Sequence, residues 1–212
     1  MNIFLVNMNH FVPCLQALNG IQKRQARHLV FQNFCRNQGY GEISWSCPVC
    51  GKNDHGVPSG HGLCISTSTV EHWSALVIAR TEQPFGFDLA HKQAPKEANG
   101  IADLFFSPGE QRQRPPEGWN YGSRFAEIWA HKEALGKMHR TGLMDDQPGK
   151  EGSILDSHSA GLHYRQIMLN HSHGLPRELI GCIVMTSATQ DQRIHHRSIQ
   201  VKKVRSELMS IA

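Results

Sequence analysis

An α+β fold is predicted by two amphipathic helical stretches, one near the N-terminus and one past the middle of the chain, set among short apolar or β-branched runs bounded by polar turns. Helices mixed in this way with mostly antiparallel strands define the class. The 212 residues, 39% hydrophobic and 19% charged, are enough for one large domain or two small ones with a sizeable core.

The elements follow in order. Between Lys23 and Asn37, Ala26, Leu29, Val30 and Phe34 fall at helical spacing, with Arg24, Arg27 and Arg36 outside that stripe, and Gly39 ends the helix. Residues 41–62 mix glycine and proline with Cys, His and Asn and read as an irregular loop. Leu63 to Ser68, Trp73 to Ala79 and Phe85 to Leu89 read as strands. A helix is expected around Lys96 to Leu104, followed by a helix start at Ser107-Pro108-Gly109-Glu110 and a loop forced by Pro115-Pro116. Ser123 is placed to cap a long helix from Arg124 to Met138 whose buried side carries Phe125, Ile128, Trp129 and Leu135. After a polar loop near 144–152, Leu179 to Thr186 and Ile199 to Val204 read as strands.

Composition narrows the function classes. No apolar run approaches the roughly 20 residues of a membrane-spanning helix, and the first residues lack a basic stretch followed by a long apolar one, so a cytoplasmic protein is expected. A net charge of +4 without a Lys/Arg block argues against nucleic acid as the main partner. It suits a phosphate-rich small molecule or an acidic protein. The six cysteines read as reduced thiols. Cys47 and Cys50, with His55, His61 or Cys64, have the ligand types of a zinc site; a pair of thiols in a loop is the competing reading.

Asp88 closes the apolar run Phe85-Gly86-Phe87, and Glu133 sits mid-helix with Lys137 four residues on. Carboxylate and ammonium then project from one helix face. Mg²⁺ held by one or two carboxylates and a neighbouring lysine would neutralise a breaking pyrophosphate. From spacing alone, a solvated ion pair worth about 0.3–0.5 kcal/mol is the favoured reading of Glu133 and Lys137.

The order of these pieces resembles the 4'-phosphopantetheinyl transferase family, in its longer monomeric, surfactin-synthetase-activator form. Gly86-Phe87-Asp88-Leu89-Ala90 is similar to that family's metal-binding strand, and Trp129-Ala130-His131-Lys132-Glu133-Ala134 to its Trp-x-x-Lys-Glu-Ala helix. Phe105-Phe106-Ser107-Pro108 with Glu110 matches between them, and Ser66-Thr67-Ser68-Thr69 corresponds to the strand that touches the coenzyme A pyrophosphate. The resemblance covers roughly residues 24 to 143.

The resemblance implies a pseudo-dimer of two similar halves, each a helix packed on a small antiparallel sheet, with residues 1–83 as the N-terminal half and 84–212 carrying the metal-binding motifs. Coenzyme A would lie in the cleft between them. It further implies Asp88 and Glu133 as ligands of Mg²⁺ or Mn²⁺, Glu133 and Lys137 as catalytic groups, and Arg27, Ser68, Thr69, Lys132 and Lys137 as coenzyme A contacts. The partner would be an acyl or peptidyl carrier protein serving fatty acid, polyketide or nonribosomal peptide synthesis, and the enzyme a monomer. Ala90 replaces the usual second carboxylate, Thr69 the usual histidine, and Val57 a frequent lysine or arginine. These departures raise a second reading: a catalytically impaired relative that binds carrier proteins or regulates them.

Overall fold

The structure is a computed structural model that describes residues 1–12, 15–46, 56–81, 83–140 and 164–186. The expected strand Ile199 to Val204, the loop near 144–152, and Cys47, Cys50 and His55 lie outside these residues. The class is α+β: helices with two three-stranded antiparallel sheets among the described residues. Two compact units are present, the first reaching to Glu82 and the second starting at Gln83.

The first unit comprises β1 (Asn2–Asn7), α1 (Gly20–Asn37), β2 (Cys64–Val70) and β3 (Trp73–Ala79). Its sheet order is β1-β3-β2, so the third strand in sequence lies between the first two, antiparallel to both. β2 and β3 form a short hairpin, with Glu71 in the left-handed region (φ 52°) at its turn. β1, the apolar run Ile3-Phe4-Leu5-Val6 that sequence reasoning did not identify as a strand, closes the other edge.

Helix α1 starts at a capping box. The Asn19 side chain accepts from the Gln22 N–H (2.9 Å), and the Gln22 side chain accepts from the Asn19 N–H (3.0 Å). It ends at Gly39, whose φ of +72° is the left-handed conformation that glycine adopts without strain. The buried side overlaps the predicted one at Val30 and Phe34 but is rotated from it: Phe31 and Cys35 are also buried, Ala26 only partly, and Leu29 is 56% exposed. Both stripes satisfy helical spacing. The one carrying two phenylalanines buries more apolar area against Met8, Trp45, Leu76 and Ile78, and it faces the sheet.

The second unit comprises β4 (Phe85–His91), α2 (Ala98–Phe105), α3 (Pro108–Gln111), α4 (Arg124–His139), β5 (Tyr164–Leu169) and β6 (Leu179–Thr186). β5 was also missed in the sequence. The sheet order β4-β6-β5 repeats the first-third-second arrangement of the other unit. No described helix is long and apolar enough to cross a membrane.

Around α4 two apolar clusters form. One joins Phe106, Trp119, Phe125 and Ile128 with the alanines of α2. The other joins Ala126, Ala130 and Ala134 of α4 with Ala90 of β4 and Ile180, Cys182 and Val184 of β6. Ser123 does not cap α4 as predicted. Its own φ and ψ (−98°, −3°) are nearly helical, and its hydroxyl instead donates to Glu127 Oε1 at 2.6 Å. A cap needs an extended residue whose oxygen can turn back to the first free N–H groups. Ser107, at ψ 162°, has that conformation and caps α3.

Gly86 fixes how close α4 lies to β4. A Cβ at Gly86 would sit 1.7 Å from the Ala134 carbonyl oxygen and 2.7 Å from the Met138 nitrogen. Both are backbone atoms, so no side-chain motion could relieve the clash. Residues alternate across a strand, which puts Gly86, Asp88 and Ala90 on the helix-facing side and Phe85, Phe87 and Leu89 on the other. Gly86→Ala is therefore expected to lose at least about 3 kcal/mol of unfolding free energy in urea denaturation. Gly100→Ala is the matched control: on α2, where a Cβ meets nothing within 4 Å, it should be neutral or gain up to about 1 kcal/mol.

Candidate functional site: a carboxylate pair and a lysine between β4 and α4

The close approach of β4 and α4 leaves room beside Gly86 for one polar residue facing the helix, and that residue is Asp88, 5% exposed. On α4 the nearest polar positions are Glu133 and Lys137, one turn apart. Helical side chains lean toward the N-terminus, so Lys137 reaches back along the helix, and its Nζ lies 2.6 Å from Asp88 Oδ1. Lys137 thus pairs with the strand carboxylate. The spacing on α4 alone had suggested a pair with Glu133.

Glu133 lies within the field of both groups. Burial pushes its carboxyl above the ordinary glutamate range, the Asp88 charge adds to the push, and the Lys137 ammonium partly offsets it. Asp88 also acts on β6. Cys182 stands opposite it in register, and its thiol is pushed up by burial first and then by Asp88, with a Gln166 hydrogen bond working the other way. Cys182 therefore stays a neutral thiol in the metal-free protein.

The neighbouring Lys132 does not sit on the helix surface. It is 7% exposed, and its Nζ lies 3.0 Å from Oε2 of Glu110, itself 1% exposed. The same Glu110 oxygen accepts from the Ser107 N–H at 2.7 Å, closing the capping box of α3. The Phe105-to-Glu110 and Trp129-to-Ala134 segments are thus joined by one buried ion pair. Removing a single partner from such a pair typically costs about 3–5 kcal/mol. Sequence reasoning marked Glu110 as a helix-start residue and as part of the segment resembling the family, but not as the partner of Lys132. The signal it left unused was Lys132, a charged residue placed between buried Ala130 and Ala134 and in want of a counter-ion. His131, next in line, is held neutral: burial first and Lys132 second push its pKa down to about 4.

Ala90, on the same face of β4 as Asp88, is 7% exposed and packs in the apolar cluster with Ala126 and Ala130. The position that would carry a second strand carboxylate is filled by apolar packing. Among the described residues no group of three or more His, Cys, Asp or Glu side chains converges. Two carboxylates are nevertheless a donor set that fits Mg²⁺ or Mn²⁺: hard oxygen ligands, few in number, with substrate phosphates and water to complete the shell.

The remaining expected site residues belong to the first unit. Ser68 on β2 is buried (6% exposed), Thr69 is exposed with its hydroxyl 3.1 Å from that of Ser74, and Arg27 is half-buried on α1. Burial and the neighbouring Arg24 both disfavour the charge on Arg27, a setting that a bound anion would relieve.

Comparison with known proteins matches residues 84–174 to the 4'-phosphopantetheinyl transferase superfamily. The match spans less than half the chain. It includes Asp88, Glu110, Lys132, Glu133 and Lys137 and excludes Arg27, Ser68 and Thr69. No curated protein matches the chain.

The raised Glu133 pKa makes a signed prediction. The folded state holds its proton to higher pH than the unfolded state, so stability falls as pH rises through the interval just above the ordinary glutamate pKa, and the penalty is then constant at higher pH. Glu133→Gln should be more stable than the parent in metal-free buffer at neutral pH. The gain should shrink toward zero as pH falls into the ordinary glutamate range, as followed by denaturant unfolding at several pH values.

Proposed function

We propose that the chain is a 4'-phosphopantetheinyl transferase of the longer monomeric type, transferring the phosphopantetheine arm of coenzyme A to a serine of an acyl or peptidyl carrier protein. The observation that carries this reading is the convergence of Asp88, Glu133 and Lys137 between β4 and α4, inside the stretch matched to the superfamily. Two acidic groups and one ammonium at a single point fit a phosphate-rich substrate whose charge is balanced by a divalent ion.

In this reading Asp88 and Glu133 hold Mg²⁺ or Mn²⁺, which when bound neutralises the pyrophosphate of coenzyme A. The protein's own groups do the rest. Glu133, or a water it orients, accepts the proton of the carrier serine hydroxyl. The serine oxygen attacks the β-phosphorus, the bond from that phosphorus to the bridging oxygen breaks, and 3',5'-ADP leaves with its developing charge met by Lys137. Arg27, Ser68 and Thr69 take the nucleotide end of coenzyme A, Arg27 at the 3'-phosphate. Lys132 supports the phosphate site, and its pair with Glu110 holds the setting of α4. In this reading the two units are the similar halves of a pseudo-dimer, which the same first-third-second strand order in both supports.

Ala90 favours a second reading, a relative that binds carrier proteins without turning over, because its packing removes one of the charges that would fix a metal. Intact-mass spectrometry of an apo-carrier protein incubated with the chain, coenzyme A and Mg²⁺ separates the two. The transferase reading expects addition of one phosphopantetheine, abolished by EDTA and reduced at least about 100-fold in rate by Glu133→Gln. No addition to any of several carrier proteins by a folded sample would select the non-catalytic reading.

A further inference from the structure

We propose that Lys137 is a built-in counter-ion that occupies Asp88 in the metal-free protein, competes with the metal for that carboxylate, and passes to the substrate's pyrophosphate when metal and coenzyme A bind together. The inference rests on the site assignment above and adds an order to it: neither cation is at its final place until the phosphates arrive.

The pair is asymmetric. The Asp88 side chain is 7% exposed on a strand locked against α4, whereas that of Lys137 is 30% exposed. A four-carbon stem can swing, while a carboxylate on a buried central stretch of strand cannot. At 2.6 Å the ammonium makes a short charge-assisted hydrogen bond to Oδ1. An ion that ligates Asp88 must either take that oxygen from Lys137 or settle beside a positive charge.

The charge count also opposes a metal bound alone. Asp88 and Glu133 contribute two negative charges at most and Lys137 one positive. The face of β4 that could have supplied a third carboxylate presents Ala90 in apolar packing instead. A divalent ion would therefore leave the cluster net positive, and a pyrophosphate would restore the balance. Metal and coenzyme A should bind synergistically, each lowering the other's apparent dissociation constant by the same factor, as linkage requires.

The test is a Mn²⁺ titration without coenzyme A or carrier protein, with the free ion followed by its electron paramagnetic resonance signal. The parent, Lys137→Met and Asp88→Asn are compared after circular dichroism confirms that each is folded; Lys137→Gln serves if the methionine variant is not. Removing the ammonium should tighten Mn²⁺ binding on the order of tenfold, a modest value for close charge pairs. Asp88→Asn should abolish binding. Coenzyme A should then tighten Mn²⁺ binding more in the parent than in Lys137→Met. Equal or weaker Mn²⁺ binding by the lysine variants, or no binding by any form without coenzyme A, overturns the proposal. Because no turnover is involved, the result is independent of whether the carrier protein becomes modified.

Discussion

The contact between Gly86 of β4 and the backbone of α4 at Ala134 is the constraint on which the site depends. A missing Cβ lets strand and helix approach until the carbonyl of Ala134 occupies the space a side chain would need. Every other feature of the cluster follows from that separation. Asp88, two residues along the same face, is brought deep enough to be nearly inaccessible yet close enough for Lys137 to reach. The alanines at 126, 130 and 134 continue the same narrow seam, and Ala90 completes it. Small residues at these positions are a packing requirement first and a route to the chemistry second.

Two buried or half-buried ion pairs flank this seam, and they do different work. Lys132–Glu110 is shielded on both sides and tied into the cap of α3, so it holds α4 to α3. Lys137–Asp88 is shielded on one side only, so one partner retains freedom to move. Adjacent turns of a single helix thus carry one static pair and one exchangeable pair. The burial of each lysine, and not its charge, distinguishes their roles.

Much of this was legible in the sequence, for identifiable reasons. Strands β2, β3, β4 and β6 were marked by β-branched or apolar runs between turns, and α4 by its spacing of Phe125, Ile128 and Leu135. β1 was missed although Ile3-Phe4-Leu5-Val6 is the same kind of continuous apolar run as β3 and β6. On α1 two stripes competed at the same period, and only packing against Trp45 and Leu76 decided for Phe31 and Cys35 over Leu29. Asp88 and Glu133 stood out as acids in apolar surroundings, but their partners did not. Asp88 is separated from Lys137, and Glu110 from Lys132, by long stretches of sequence that periodicity cannot bridge.

The central claim is that the cluster between β4 and α4 receives a divalent ion and coenzyme A as one charge-balanced unit. Melting temperatures of the chain with Mg²⁺ alone, coenzyme A alone and both together test this most directly, since a ligand that binds only the folded state raises its stability by mass action. The account predicts a rise of about 5 °C or more with both at saturating concentration, exceeding the sum of the separate shifts. A rise with both that is no larger than with either alone, or no rise at all, would contradict it.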